Sequence, residues 1–359
     1  MADFTLDDVR ERTCRERDSW WTVGLVDPLA IRLVRATANR TAITPNQVTV
    51  AALFLGLGAA ACFAIGTWKY LVVGAVLYYL CFLLDCTDGK LARLTDRESL
   101  FGSWMDYVFD RFRVLICAIA LMGGQYVLTG HVVFVWLALA VVFLDMLRYL
   151  NALQVYKARR EMRSHIAGAL ERARATLSML EPEDEAAHPD RPMSDQGEQA
   201  VLRHGISVLE QILRTQTENE ARCARASGKQ PDVSLPKVDL HQEFRSRFPW
   251  YQRTWDHLRA RRIRTHLVSG IEFQMAVFVI APLVGVVSSA AIGWITVVMG
   301  VLLLAFEIAI VYKLWLSTRD FFRVVDGIEG ALGFTRSSDD VVDGTVAAAP
   351  AESTQTTLR

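Results

Sequence analysis

Between residues 85 and 110 the sequence sets four aspartates at helical spacings. Asp85-Cys86-Thr87-Asp88-Gly89-Lys90-Leu91-Ala92-Arg93 is followed by Gly102-Ser103-Trp104-Met105-Asp106-Tyr107-Val108-Phe109-Asp110. Asp85 and Asp88 are three apart with Ala92 four further on, and Gly102, Asp106 and Asp110 recur every fourth residue, so each set shares one helix face. A short connection, with Thr95-x-x-Glu98 and Ser99 as helix-start signals, makes the two helices antiparallel neighbours. Their four carboxylates then converge, and they cannot all stay ionised without a counter-charge. Mg²⁺ or Mn²⁺, one ion or two, is a fitting partner, because such ions take oxygen ligands and leave positions open for phosphate. Gly89, Ala92 and Gly102 leave a slot on the same faces, and the Arg93 fork suits a phosphate oxygen. Acids, slot and arginine together point to a pyrophosphate site. A lone Asp-x-x-Asp carries no weight, and small residues alone would indicate close helix packing. Acids inside membrane helices also suit an ion-coupled transporter, a non-enzymatic reading that stands beside the catalytic one.

The elements that position these residues are membrane helices. The chain has 359 residues, 52% of them hydrophobic, with 39 Lys and Arg balanced by 39 Asp and Glu; its mean hydropathy is +0.22. Zero net charge argues against a nucleic-acid partner. Uncharged apolar runs of about 18 residues or more mark spans, and six are expected: Gln47–Gly66, Tyr70–Asp85, Leu100–Met122, Val132–Leu150, Leu267–Ala290 and Ile292–Leu316. The fold class is therefore an all-α integral membrane protein with six transmembrane helices, an N-terminal interfacial amphipathic helix and a helical cytoplasmic insertion. The expected segments are 1–46 (N-terminal, juxtamembrane helix), 47–150 (spans one to four with the acidic motif), 151–266 (insertion), 267–316 (spans five and six) and 317–359 (tail).

Arginines crowd the segment before span one, the span 2–3 and 4–5 connections and the C-terminal side, whereas the other connections contribute only Lys69. By the positive-inside rule both termini and the acidic motif are cytoplasmic in a multi-pass cell-membrane protein, with Trp68 and Trp294 at the outer interface. Asp27–Arg35 suggests a short helix with Asp27 as N-cap and Pro28 in its first turn, lying in the headgroup plane or packed on protein. Within the polar stretch Lys157–Thr265, helices are expected at Ser164–Met179 and Gln199–Arg225, and the arginine- and aromatic-rich end, Phe248 to Arg264, suits an interface. The tail from Ser337 is small and polar. The six cysteines have no metal-ligand spacing and are expected as buried thiols. The acidic opening lacks an apolar signal core, so no cleaved leader is expected.

The 85–110 stretch resembles the signature of the CDP-alcohol phosphotransferase (CDP-alcohol phosphatidyltransferase) family, Asp-x2-Asp-Gly-x2-Ala-Arg-x8-Gly-x3-Asp-x3-Asp. The likeness covers roughly Asp27–Leu150 and Leu267–Leu316. It implies a metal-dependent transferase that displaces CMP from a CDP-linked donor with an alcohol, in phospholipid biosynthesis, and a homodimer. Asp85, Asp88 and Asp106 would be the metal ligands; Asp110 would be the general base and could also touch the second metal. Gly89, Ala92, Arg93, Ser99 and Gly102 would line the CDP donor, joined by Asn46 and Thr49 from a Pro-Asn-x-x-Thr element at the entry to span one. The wording of the motif is also loosely similar to phosphatidylinositol-phosphate synthases and archaeal di-myo-inositol-phosphate synthases. The donor could thus be CDP-diacylglycerol or a water-soluble CDP-polyol such as CDP-inositol. For the acceptor, Arg113, Arg148, Arg264, His266 and Lys313 are candidate cations, each equally able to be a positive-inside residue. Glu272 and Glu307 are candidates for a polyol hydroxyl.

Overall fold

The computed structural model describes residues 4–14, 18–97, 99–180 and 268–331 and positions 203, 206, 207 and 210, the side chains at 176, 179, 180, 317 and 319–331 excepted. The described residues are helical, with no strand among them. They comprise α1 (Leu6–Thr13), a π-helical turn (Thr22–Val26), α2 (Asp27–Arg40), α3 (Pro45–Ile65), α4 (Trp68–Leu94), α5 (Leu100–Thr129), α6 (Val133–Leu180), α7 (Gly270–Gly285) and α8 (Ser289–Ala331). Residues 1–163 with 212–317 form one compact unit, which carries the acidic motif. Residues 164–211 with 318–359 form a second, in which Arg174 pairs with Glu210 at 2.5 Å.

Five helices are long and apolar enough to cross a membrane: α3, α4, α5, α6 and α8. The chain is accordingly a multi-pass membrane protein. The fifth expected span, Leu267–Ala290, is instead the shorter α7, and the chain turns at Val286–Ser288, ahead of the expected break. Phe273, Met275, Val277 and Phe278 of α7 are fully buried, so the first part of this helix belongs to the core, while Ile280, Leu283 and Val284 near its end are exposed. A π-helical turn at Ala276–Ile280 interrupts it, and Phe278 packs on Tyr78 of α4 with ring centroids 4.7 Å apart. A run with no polar face is apolar all round for either of two reasons, lipid contact or burial, and periodicity alone cannot separate them.

Small residues hold the bundle together, as expected where lipid is as apolar as any side chain. The buried stripe of α3 includes Ala52, Gly56, Ala59, Ala60 and Phe63, at helical spacing. It packs on both α4 and α5, which make little direct backbone contact with each other. Near the far end of α3 the approach is closest: a Cβ at Gly124 would lie 2.4 Å from the Phe63 carbonyl oxygen. The same end closes on Gly66, a left-handed C-cap (φ 71°) whose carbonyl accepts from Gln125 at 3.0 Å.

The helix starts near the motif have local causes. Thr44 and Gln47 form a capping box ahead of Pro45, so α3 begins two residues before the expected span. Ser99 is the N-cap of α5, accepting from the Gly102 N–H at 2.9 Å. Thr95 instead ends α4, its hydroxyl donating to the Leu91 carbonyl at 2.8 Å, while Glu98 lies outside the described residues.

Asp27 is not the N-cap of α2. That position is held by Val26 in a helical conformation after the π-helical turn, and Asp27 is buried at the first helical residue. The packed face of α2 carries Ala30 and Val34, both fully buried, whereas Leu29 is exposed. Val34 joins Val9 of α1, Val48 of α3 and Leu91 and Leu94 of α4 in a second apolar cluster. α1, which the polarity of the opening residues concealed, is thus packed over the motif end of α3 and α4. Asn39 fastens it by pairing with both the N–H and the carbonyl of Phe4, at 3.1 and 3.0 Å.

Two expected boundaries fall inside continuous helices. α6 runs without a break from Val133 to Leu180 and includes the helix expected separately at Ser164–Met179. α8 continues past Leu316 to Ala331. Of Gln199–Arg225 only four positions are described, and Phe248–Arg264 and Ser337–Arg359 lie outside the described residues.

Candidate active site

The last turns of α4 carry Asp85 and Asp88 and the first turns of α5 carry Asp106 and Asp110, with α3 packed against both helices. Asp88 is the most enclosed of the four at 5% exposure, and its carboxylate accepts from the Thr49 hydroxyl at 2.6 Å. That hydroxyl also contacts the Pro45 carbonyl at 3.2 Å, so the opening turn of α3 fixes the direction of Asp88. The charges of Asp85 and Asp106 both act on Asp88, and those of Asp85 and Asp110 on Asp106. The four carboxylates therefore lie at one end of the bundle, within range of one another's charge.

Arginines supply the opposing charge. Arg113, 4% exposed, donates through Nη1 to Asp85 at 3.1 Å and through Nη2 to Asp110. Arg111 links Asp110 to Asp145 of α6, and Asp145 in turn accepts from Gln274 of α7 at 2.9 Å. The result is an alternating chain, Asp85–Arg113–Asp110–Arg111–Asp145–Gln274, running across four helices. The guanidinium of Arg111 lies 5.6 Å from the Tyr149 ring, which stacks on Tyr107 at 4.5 Å between centroids. Buried charges must be paired and hydrogen-bonded to be tolerated, and this chain accomplishes that.

Three of the residues expected to line the donor lie together. The Cβ position of Gly102 is 2.8 Å from Ser99 Oγ and 3.3 Å from Asn46 Oδ1, so Gly102, Ser99 and Asn46 meet at one spot where any larger side chain would intrude. Gly89 and Ala92 are half-buried on α4. Arg93 is turned back on the protein: Nε donates to the Gly89 carbonyl at 3.0 Å and Nη1 to the Thr13 carbonyl at 2.8 Å. It ties α1 to the motif helix as well as bordering the slot. Beside it, Lys90 and Asp27 form a buried ion pair at 2.9 Å.

The acceptor candidates separate. Arg113 is a correction: it is enclosed between Asp85 and Asp110 and is not presented to an acceptor. Arg148 is half-buried against Gly270 of α7, whose absent side chain makes room for the guanidinium. Lys313 is exposed on α8, and Arg264 and His266 lie outside the described residues. Glu272 is committed to a capping box with Ser269, accepting from its N–H at 3.0 Å, and Glu307 accepts from Asn151.

Whether a divalent ion suits these residues turns on their donors. All four are carboxylates, the ligand class of Mg²⁺ and Mn²⁺, and among the described residues Asp106 has neither an ion-pair nor a hydrogen-bond partner. No three acidic, His or Cys side chains among the described residues are gathered as a finished ion site. The donor chemistry fits the ion. Arg111, Asp145 and Gln274 went unremarked in the sequence because they belong to no motif; an acid within an otherwise apolar span was the signal that could have singled out Asp145.

Residues 42–180 match the family model for CDP-alcohol phosphatidyltransferase. Over 70 residues the chain is 39% identical to the bifunctional IPC transferase and DIPP synthase of Thermococcus kodakarensis, covering 20% of this chain and 15% of that protein. Over 69 residues it is 36% identical to the protein of the same name from Aquifex aeolicus, covering 19% and 15%. Over 105 residues it is 30% identical to the archaetidylinositol phosphate synthase of Methanothermobacter thermautotrophicus, covering 29% and 52%. The matched segments thus span between 15% and about half of the length of these curated relatives.

Proposed function

From the premise that residues 42–180 are a domain of the CDP-alcohol phosphatidyltransferase family, we propose that this chain transfers a phospho-alcohol group from a CDP-linked donor to an alcohol, releasing CMP. The observation that carries the reading is the group of four aspartates presented by α4 and α5, with Thr49 of α3 directing Asp88. In the reaction the acceptor hydroxyl oxygen forms a bond to the donor phosphorus while the bond from that phosphorus to the CMP oxygen breaks. Positioning and charge stabilisation supply most of the acceleration in such transfers.

Asp85, Asp88 and Asp106 would hold Mg²⁺ or Mn²⁺, which when bound neutralises charge on the pyrophosphate. Asn46, Ser99, Gly102, Gly89 and Ala92 border the space for the donor. Asp110 stands about 6 Å along the helix from Asp106 and accepts the proton of the acceptor hydroxyl once its arginine partners release it. The arginine distribution supports a cytoplasmic position for this end of the bundle, where a lipid tail would stay in the bilayer while the nucleotide stays in water.

Similarity to an archaetidylinositol phosphate synthase favours an inositol-phosphate alcohol as one reactant. This leaves two arrangements of one chemistry, a CDP-lipid donor with a polyol acceptor or a CDP-polyol donor. The test is CMP release by the purified protein with Mg²⁺ or Mn²⁺, offered CDP-diacylglycerol or CDP-inositol with labelled alcohols. Metal-dependent CMP release with one donor is expected; no release with any donor, alongside ion flux in vesicles, would favour the transporter.

A further inference from the structure

Arg113 is the one member of the charged chain that bridges the two motif helices directly. Its setting is built for it. A Cβ at Gly56 of α3 would come within 3.1 Å of the Arg113 Cγ and Cδ, so the stem passes where α3 has no side chain. Its guanidinium carbon lies 5.9 Å from the Tyr78 ring centroid, and Nη1 is 3.4 Å from Cys81 Sγ. Nε is buried with no hydrogen-bond partner in the described structure. A guanidinium is costly to enclose in this way unless anions compensate it, and the only carboxylates it pairs with among the described residues are Asp85 and Asp110.

We propose that Arg113 is an intramolecular counter-cation that competes with the divalent ion for Asp85 while it pairs the base Asp110, so that it lowers the affinity of the site for metal and keeps the carboxylates together without one. The inference rests on the proposed reading of the acidic group as a metal and donor site. The physical reason is charge. Arg113 takes Oδ1 of each carboxylate and already neutralises it, so a small hard cation, which demands carboxylate oxygens at about 2.0–2.1 Å, meets a weakened anion and a repelling guanidinium. Binding of the ion therefore opposes the Arg113 contact with Asp85 and loosens its hold on Asp110. Regulation of the site by metal supply is built into the helix that bears two of its acids.

The test is Mn²⁺ binding to the purified protein in detergent, followed by the loss of the free-ion EPR signal. The samples are the unmodified chain, Arg113→Gln, Arg113→Lys and Asp88→Asn. Arg113→Gln is expected to bind Mn²⁺ about tenfold more tightly than the unmodified chain, equivalent to about 1.4 kcal/mol. Arg113→Lys is expected in between, since one ammonium cannot span both carboxylates. Mn²⁺ should also raise the thermal midpoint of Arg113→Gln more than that of the unmodified chain. If Arg113→Gln does not fold, Arg113→Lys decides: tighter Mn²⁺ binding supports the competition and equal or weaker binding overturns it. Equal or weaker binding by a folded Arg113→Gln also overturns it, even where Asp88→Asn has lost the ion and the site reading stands. Absence of Mn²⁺ binding in every sample overturns the site reading and this inference together.

Discussion

Thr49 and Asp88 show how a single hydroxyl can govern the acidic group. The 2.6 Å contact directs one buried carboxylate oxygen, and hydrogen bonds to charged groups contribute roughly 1.5–3 kcal/mol. Thr49→Val should lower metal-dependent CMP release by about one to two orders of magnitude, the factor those energies correspond to, whereas Thr49→Ser should retain most of it. A steady-state assay on both variants checks this, and equal activity in all three proteins would remove Thr49 from the site. Asp110→Asn should abolish turnover while donor binding survives, read by nucleotide protection in a thermal-shift assay; unimpaired turnover would sink the base assignment.

At the scale of elements, the contacts between α1, α2 and the motif helix are charged as well as apolar. Lys90 and Asp27 pair with side-chain exposures of 6% each. Removing one partner of a buried pair leaves an uncompensated charge and costs about 3–5 kcal/mol, whereas removing both is far milder. Lys90→Met should therefore lower the thermal midpoint markedly, and Lys90→Met with Asp27→Leu should recover much of the loss. A midpoint no better in the double variant would mean that the pair is not what couples α2 to α4. The α3–α5 approach offers a second contrast. Gly124→Ala would put a methyl group 2.4 Å from a backbone oxygen that cannot swing aside, whereas Gly123 has nothing within 4 Å of its Cβ position. Overpacking of this kind costs about 1–3 kcal/mol, so Gly124→Ala should unfold at lower temperature than Gly123→Ala in the same detergent.

For the molecule as a whole, the proposed orientation can be tested. With the acidic end cytoplasmic, as the positive-inside rule leads one to expect, the exposed Trp68 and Trp294 would face the outer interface. Lys69→Cys, at the start of α4, should react with a membrane-impermeant thiol reagent added outside intact cells. Arg97→Cys, between α4 and α5, should react only after permeabilisation. The background for both is a variant without its reactive native cysteines. The reverse labelling pattern would place the acidic group on the outer face and remove the cytoplasmic assignment.

The sequence by itself determined the helical class, the four aspartates and their spacing, and the small residues beside them. All of these are local: side-chain type, periodicity and turn chemistry within a few residues. Asn46 and Thr49 came to notice through the resemblance of their segment to a family element, Pro-Asn-x-x-Thr, while the residues around Pro45 by themselves marked only a helix entry. Tertiary structure decided what local patterns do not contain. Whether α7 faces lipid or protein depends on what surrounds it, and its composition is apolar in either case. Which cation neutralises which acid depends on distances between residues far apart in the chain. For that reason Arg113 became a partner of Asp85 instead of an acceptor ligand, Asp27 a partner of Lys90 instead of a cap, and Asp145 and Gln274 entered a network that no motif announced.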